Sequence, residues 1–184
     1  MRWLAIALLV LQAGQAAPFA QESSEAGQTY VAVSVDKNGA LAIRRADGAT
    51  VAVFKLPGQT TFEKPRLSPD RKAVGAQAMY PNCCTSYDIP LRLVVYENGR
   101  VHSFNGDGLS IFWWMFTDGG RRVGFGQTTV HSSCGTHYEL RDVRSERLVD
   151  SLNVPDEAPG CPPPKSGSAP VRLPEWVRRL QVAR

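Results

Sequence analysis

The sequence contains two related stretches in which apolar and polar residues alternate around a turn that contains aspartate. The first, PRLSPDRKAVGAQAMY, starts at Pro65, and the second, WMFTDGGRRVGFGQTTV, starts at Trp114. Their turn residues Asp70 and Asp118 are 48 positions apart, and the halves that follow, LRLVVYENGRVHSF and YELRDVRSERLVDSL, also match. Alternation predicts strands, and repetition at roughly 50 residues in strand-rich sequence is typical of stacked antiparallel four-stranded units. We therefore expect an all-β fold.

Turn-forming and strand-breaking residues divide the remainder of the chain. Asp47-Gly48 and Asn98-Gly99 are the strongest hairpin signals, because these residue types tolerate a positive φ. The pattern predicts three strands in residues 29–56, four in 65–105 and four in 110–153, within a β-repeat domain at 29–156. Residues 157–184 start as a Pro-rich segment, which cannot continue a sheet. They end in LPEWVRRLQVAR, which predicts a short C-terminal helix.

Two of the repeated strings, SPDRKAVG and TDGGRRVGF, resemble the turn-and-strand signature of TolB-like and WD-type β-propeller blades. The resemblance covers residues 60–153, or about two full blades. It departs from that pattern at Arg71, where the family usually has Gly, and in the lack of a Trp-Asp dipeptide. Propellers close with about four to eight blades. The resemblance therefore implies an open, propeller-like stack, and the alternative is a homodimer that completes a ring.

The N-terminal residues have the organisation of a signal peptide. Arg2 provides a positive charge, residues 3–11 form an apolar run, and small residues follow, with cleavage expected after Ala16 or Ala20. The run is too short to span a bilayer as a helix, which needs about 20 residues. We expect a signal peptide at 1–20, a flexible lead-in at 21–28, and a secreted or periplasmic protein without stable membrane insertion.

The net charge of +4 comes from basic residues that are scattered along the sequence. A nucleic-acid-binding protein usually gathers Lys and Arg into a stripe or patch, because affinity depends on the phosphates neutralised. The densest cluster here is the pair Arg178 and Arg179. We expect no nucleic-acid partner, and an unknown protein or envelope component instead.

Four cysteines, Cys83, Cys84, Cys134 and Cys161, follow the apolar run. An even count in an exported chain favours disulfides, and four cysteines allow three pairings. If the repeats are propeller blades, the loops that carry them emerge at one end. That arrangement allows one of Cys83 or Cys84 to bond Cys134 and the other to bond Cys161. A vicinal bond between Cys83 and Cys84 is the strained alternative.

The loop HSSCGTH is the most metal-like string. His131, Cys134 and His137 could surround zinc or copper, but their spacing matches no standard zinc motif. A hydrolase would need a nucleophile, a base and an acid, and Ser132, Ser133 and Asp88 lie near the same end. No G-x-S-x-G elbow is present in the sequence. Metal binding through His131 and His137 and an unrecognised hydrolase are therefore the alternatives, and we assign no catalytic residue and no cofactor.

The preferred interpretation is a non-catalytic binding module that uses the cysteine-containing loops. Tyrosine has an apolar ring and a polar tip, which suits a partly exposed contact surface. The expected surface consists of Tyr80, Tyr87, His131, His137 and Tyr138. The apolar string IFWWMF, which starts at Ile111, is expected to be the innermost strand of a blade.

Overall fold

The computed structural model describes residues 29–83, 85–106, 108–130, 134–155, 161 and 171–182. This part of the chain is mostly β, as predicted, with eleven strands, a short 3₁₀ turn and one C-terminal α-helix. The strands are β1 (Tyr30–Val35), β2 (Leu41–Arg45), β3 (Thr50–Phe54), β4 (Thr61–Leu67), β5 (Ala73–Tyr80), β6 (Ile89–Glu97), β7 (Arg100–Asn105), β8 (Ser110–Thr117), β9 (Arg122–Thr128), β10 (Gly135–Asp142) and β11 (Leu148–Pro155). The 3₁₀ turn is Asp118–Gly120, and the helix α1 is Glu175–Val182.

The strands form three antiparallel sheets, none of which is closed. Sheet 1 has the order β1-β2-β3, sheet 2 the order β4-β5-β6-β7, and sheet 3 the order β8-β9-β10-β11. Within each sheet every strand pairs with its neighbours in sequence, because short connections return the chain directly to the adjacent position. Sheets 2 and 3 are thus propeller-like blades of four consecutive strands, as the sequence resemblance implied.

Sheets 2 and 3 contact each other through equivalent residues of the repeat. In β4 the Lys64 Nζ donates to the Phe112 carbonyl of β8 at 2.8 Å, and Arg66 donates to the Trp114 carbonyl at 3.2 Å. Both pairs are separated by the 48 residues that separate the turn aspartates. The two innermost strands therefore run in the same direction, and the turns after them lie together, with the Asp70 N–H 3.3 Å from the Gly119 carbonyl.

The core between sheets 2 and 3 consists of large side chains from sheet 3 against smaller ones from sheet 2. Trp114 and Phe125 are buried there, and Phe125 contacts Phe104 with ring centroids 6.4 Å apart. Gly75 provides the space for Trp114, since a Cβ on Gly75 would lie 2.5 Å from the indole ring. Residues 111–116 lie in β8, the first strand of its blade, which contacts β4 and β6 of sheet 2.

Helix α1 covers the other face of sheet 3. Val177 and Leu180 are buried, and Trp176 contacts Tyr138 edge-on with ring centroids 6.5 Å apart. The prediction that Tyr138 belongs to an exposed contact surface is wrong, because Tyr138 is only 1% exposed beneath the helix. The helix also occupies the face on which a further blade would pack, so the two-chain ring has no support in this arrangement. No helix in the described ranges is long and apolar enough to cross a membrane.

Candidate functional site

The molecule has two distinct ends, because the strands of each sheet alternate in direction. The turns β2–β3, β4–β5, β6–β7, β8–β9 and β10–β11 lie at one end, which we call the turn end. The connections β1–β2, β3–β4, β5–β6, β7–β8 and β9–β10 lie at the other, which we call the loop end. Cys83 is in the β5–β6 connection and Cys134 precedes β10, so both lie at the loop end.

A disulfide joins Cys134 to Cys161, with the Cα atoms 5.1 Å apart. It ties the start of β10 to the segment that follows β11. This bond excludes the arrangement that blade topology allowed, in which Cys134 and Cys161 each bond one of Cys83 and Cys84. The exposed Cys83 forms no disulfide within the described part of the chain. Cys84, and with it the vicinal alternative, lies outside the described residues.

A buried carboxylate, from the middle of β10, lies between sheets 2 and 3. Glu139 is 2% exposed, and its Oε1 accepts a hydrogen bond from the Gln127 Nε2 at 3.0 Å. Its Oε2 accepts one from the Arg141 Nε at 2.5 Å. The His137 Nε2 lies 3.1 Å from the Glu139 Oε1, and the His137 Nδ1 lies 2.6 Å from the Asn153 Oδ1. We call these five residues the Glu139 cluster.

Strand alternation explains how the Glu139 cluster forms. His137, Glu139 and Arg141 are at alternate positions of β10, so their side chains leave the same face of sheet 3. Cross-strand pairing adds the other two members, because His137 is opposite Gln127 on β9 and Asn153 on β11. The sequence pattern H-x-E-x-R could have suggested this shared face. The register that places Gln127 and Asn153 opposite His137, which the cluster also requires, was not visible in the sequence.

A shallow groove of about 310 Å³ borders the cluster at the loop end. Its walls include Leu109 from the β7–β8 connection, Cys134, His137 and Asn153. The disulfide therefore forms part of the groove as well as closing a loop. Its lining combines an imidazole, an amide and apolar atoms, which suits a peptide side chain more than a strongly charged ligand.

The contacts of the remaining candidate residues do not favour metal binding or hydrolysis. Both ring nitrogens of His137 already face oxygen atoms, and the Cys134 sulfur is in the disulfide. Among the described residues, no three His, Cys, Asp or Glu side chains are grouped to hold a metal ion. Asp88 accepts a hydrogen bond of 2.6 Å from the Thr60 hydroxyl. The predicted candidates His131, Ser132 and Ser133 lie outside the described residues.

The two other tyrosines of the expected surface differ in exposure. Tyr87, in the β5–β6 connection, is 50% exposed at the loop end, as a contact residue requires. Tyr80 is half-buried at the end of β5, and the Arg92 guanidinium lies over its ring at 5.6 Å from the centroid. Tyr87 is thus the more exposed of the two, and Tyr80 packs against the core between sheets 1 and 2.

Two solved structures are similar to this chain at low sequence identity. No protein-family model matches the chain, and no curated protein matches it either. The solved hydrazine synthase of Kuenenia stuttgartiensis is similar, with 16% identity and a TM-score of 0.46, over 68% of this chain and 34% of that chain. The Myceliophteria thermophila Cps50 (Swd1) β-propeller domain is similar with 16% identity and a TM-score of 0.38, over 72% and 43% respectively.

The chain therefore spans less than half the length of either of these two structures. The blade topology of sheets 2 and 3 follows from their strand order and does not depend on these likenesses.

Proposed function

We propose that this chain is an exported, non-catalytic interaction module that binds a protein or envelope component through its loop end. The observation that carries the proposal is the bond between Cys134 and Cys161. It fixes the start of β10 at the same end as the exposed Tyr87. Loops held on a rigid β-scaffold are common binding elements, because they lose their conformational entropy when the protein folds and not when the partner binds.

The Glu139 cluster supports this proposal by fixing the floor of the surface. His137 forms one side of the groove, and its ring is held between Asn153 and Glu139. A side chain held on both sides loses little conformational freedom when a partner binds. The cluster contains no activated nucleophile, and its imidazole has no ring nitrogen left for a substrate or metal ion.

Site-specific photocrosslinking tests the loop end as the binding surface. A photoreactive residue replaces Tyr87 in one variant and Asp47, at the turn end, in a matched control. We expect the Tyr87 variant to crosslink to a discrete protein in the exported fraction and the Asp47 variant not to do so. The yield at Tyr87 should fall when both Cys134→Ser and Cys161→Ser are added, because the neighbouring loop is released. Identical products from both positions, or no product from either, would contradict the proposal.

Export is tested separately, by sequencing the N-terminus of the protein recovered from outside the cytoplasm. Cleavage after Ala16 or Ala20 is the expected result. Recovery of the chain only from the cytoplasm, with residues 1–20 retained, would contradict export and leave the binding surface to be judged by crosslinking.

A further inference from the structure

The fold gathers at the turn end basic residues that are dispersed in the sequence. The turn end comprises residues 44–49, 68–72, 97–100, 118–122 and 142–147. These segments contain nine Lys and Arg residues against six Asp and Glu residues. The described connections of the loop end contain two of each, namely Lys37, Lys55, Asp36 and Asp88. Charge is therefore distributed unevenly between the two ends, although the sequence showed no basic stripe.

Direct contacts connect the turns of all three sheets. Tyr30, which is paired with Arg45 next to the β2–β3 turn, donates its N–H to the Arg71 carbonyl at 2.7 Å. The β4–β5 turn contacts the β8–β9 turn through Asp70 and Gly119. The β6–β7 turn contacts the β10–β11 turn through an ion pair of 2.9 Å between Glu97 and Arg144. The basic residues of these turns thus share one surface.

The acidic side chains on this surface all form hydrogen bonds or ion pairs, whereas many of the basic side chains do not. Each of the six acidic side chains has a hydrogen-bond or ion-pair partner. The pairs are Asp47 with Arg45, Asp70 with Ser68, Glu97 with Arg144, Asp118 with Arg122, Asp142 with Ser145 and Glu146 with His102. Within the described part of the chain, five exposed cations have no such partner. They are Arg44, Arg71, Lys72, Arg100 and Arg147.

Arg71 is notable because its backbone has a φ of 60°. This left-handed conformation costs a side-chain-bearing residue about 1–2 kcal/mol relative to the right-handed one, and glycine adopts it freely. The resembling blade pattern has Gly at this position. Asp118 and Glu146, also at the turn end, have the same kind of conformation with φ of 50° and 57°, so these turns accept side chains of either charge.

Exposed aliphatic residues accompany the unpaired cations. Val101 directly follows Arg100 at the start of β7, and Leu148 and Val149 directly follow Arg147 at the start of β11, all three exposed. Aliphatic side chains next to cations suit the boundary between lipid headgroups and acyl chains. A nucleic-acid surface would instead combine cations with stacking aromatics or polar base contacts.

We propose that the turn end binds the surface of an anionic phospholipid membrane. Five unpaired cations, distributed over four of the turns, can approach a planar array of headgroups together, whereas a small anion would reach only one or two of them. The flanking aliphatic side chains add apolar contact at the headgroup boundary. The proposal is independent of the partner at the loop end, and together the two surfaces would place that partner close to a membrane.

Vesicle co-sedimentation tests this proposal, with phosphatidylcholine vesicles prepared with and without phosphatidylglycerol. We expect the chain to bind the vesicles that contain phosphatidylglycerol, and to be released at high salt because the attraction is screened. The apolar run at residues 3–11, where retained, would bind both kinds of vesicle, so the difference between them is the measured quantity. The double variant Arg100→Gln with Arg147→Gln should bind roughly 25-fold more weakly, at roughly fivefold for each cation removed near an anionic surface.

Matched controls separate lipid binding at the turn end from a general attraction between a basic protein and any polyanion. Lys37→Gln with Lys55→Gln removes the same charge from the loop end and should leave binding unchanged. Leu148→Ser should weaken binding to anionic vesicles. The proposal would be overturned by three outcomes: no preference for phosphatidylglycerol at low salt, equal losses in both double variants, or equally strong binding to duplex DNA or polyglutamate. All variants are first compared by circular dichroism and thermal unfolding, so that a folding defect is not scored as a binding defect.

Discussion

Glu139 is a charged residue buried between two sheets, and its neighbours explain why the fold tolerates it. Burial of a carboxylate is costly unless hydrogen bonds and opposite charge compensate for the lost hydration. Gln127, His137 and Arg141 surround its two oxygens, and His137 and Arg141 reach solvent at their outer sides. His137 contacts Glu139 and also lines the groove, so the cluster extends from the buried interface of sheets 2 and 3 to the loop end.

Replacement of Glu139 by Ala should lower the free energy of unfolding by about 2–3 kcal/mol, because Gln127 and Arg141 then lose a buried acceptor. Urea denaturation monitored by circular dichroism measures this change. Glu175→Ala is the matched control, since the ion pair of Glu175 with Arg178 is exposed and such pairs contribute less than about 1 kcal/mol. Equal effects of the two substitutions would show that the Glu139 cluster is not structurally important.

The expected contact residues show where the sequence was informative at this scale. The positions of Tyr87 and His137 were predictable because both residues flank the cysteine-containing loops, and the structure places both at the loop end. Tyr138 was misassigned because strand alternation identifies two faces without showing which one is covered. The cover for its face comes from residues 175–182, far along the chain. No local pattern around Tyr138 contains that information.

The secondary-structure elements were predicted more completely than the site, because turns and breakers leave local signals. Asp47-Gly48 and Asn98-Gly99 are both in hairpin turns, with Gly48 at φ 83° and Gly99 at φ 78°. β4 starts at Thr61, four residues before the predicted strand. A bulge between Glu63 and Arg66 accommodates Pro65 on the edge of sheet 2, where proline interrupts no essential pairing.

Helix α1 is an element whose stability depends on its contacts with sheet 3. An eight-residue helix is too short to be stable alone in water. Leu180→Ala should therefore lower the free energy of unfolding by about 2–4 kcal/mol, because Leu180 is fully buried against sheet 3. Arg179→Ala, on the exposed side of the same helix, should change it by less than about 0.5 kcal/mol. Denaturation midpoints of the two variants provide the measurement, and similar values would contradict the packing of the helix on the sheet.

At the largest scale, the described part of the chain forms three sheets that stack without closing, and a covalent bond supports the last of them. The bond between Cys134 and Cys161 joins residues 27 positions apart. In the chain-entropy account, closing a loop of this size lowers the conformational entropy of the unfolded chain. This raises the free energy of unfolding by about 3.5 kcal/mol. The sequence predicted that the cysteines share one end, because that follows from blade topology. It could not predict the pairing, which depends on the path of the chain after β11.

The double variant Cys134→Ser with Cys161→Ser should lose up to about 3.5 kcal/mol of unfolding free energy. Cys83→Ser should be nearly neutral, because the Cys83 side chain is exposed and unbonded within the described residues. Denaturation under non-reducing conditions measures both. A large loss from Cys83→Ser alone would indicate that the sulfurs are paired differently from the structure.

The position of α1 also limits how such a stack can be lengthened. An extra duplicated unit inserted after Pro155 would have to displace the helix and expose the surface around Tyr138 and Leu152. A unit inserted before Tyr30 would meet the outer side of sheet 1, where Val53 is 58% exposed and no described element is in the way. Protein engineering that aims at a longer stack should therefore add blades at the N-terminal side and keep the C-terminal helix as the cover of sheet 3.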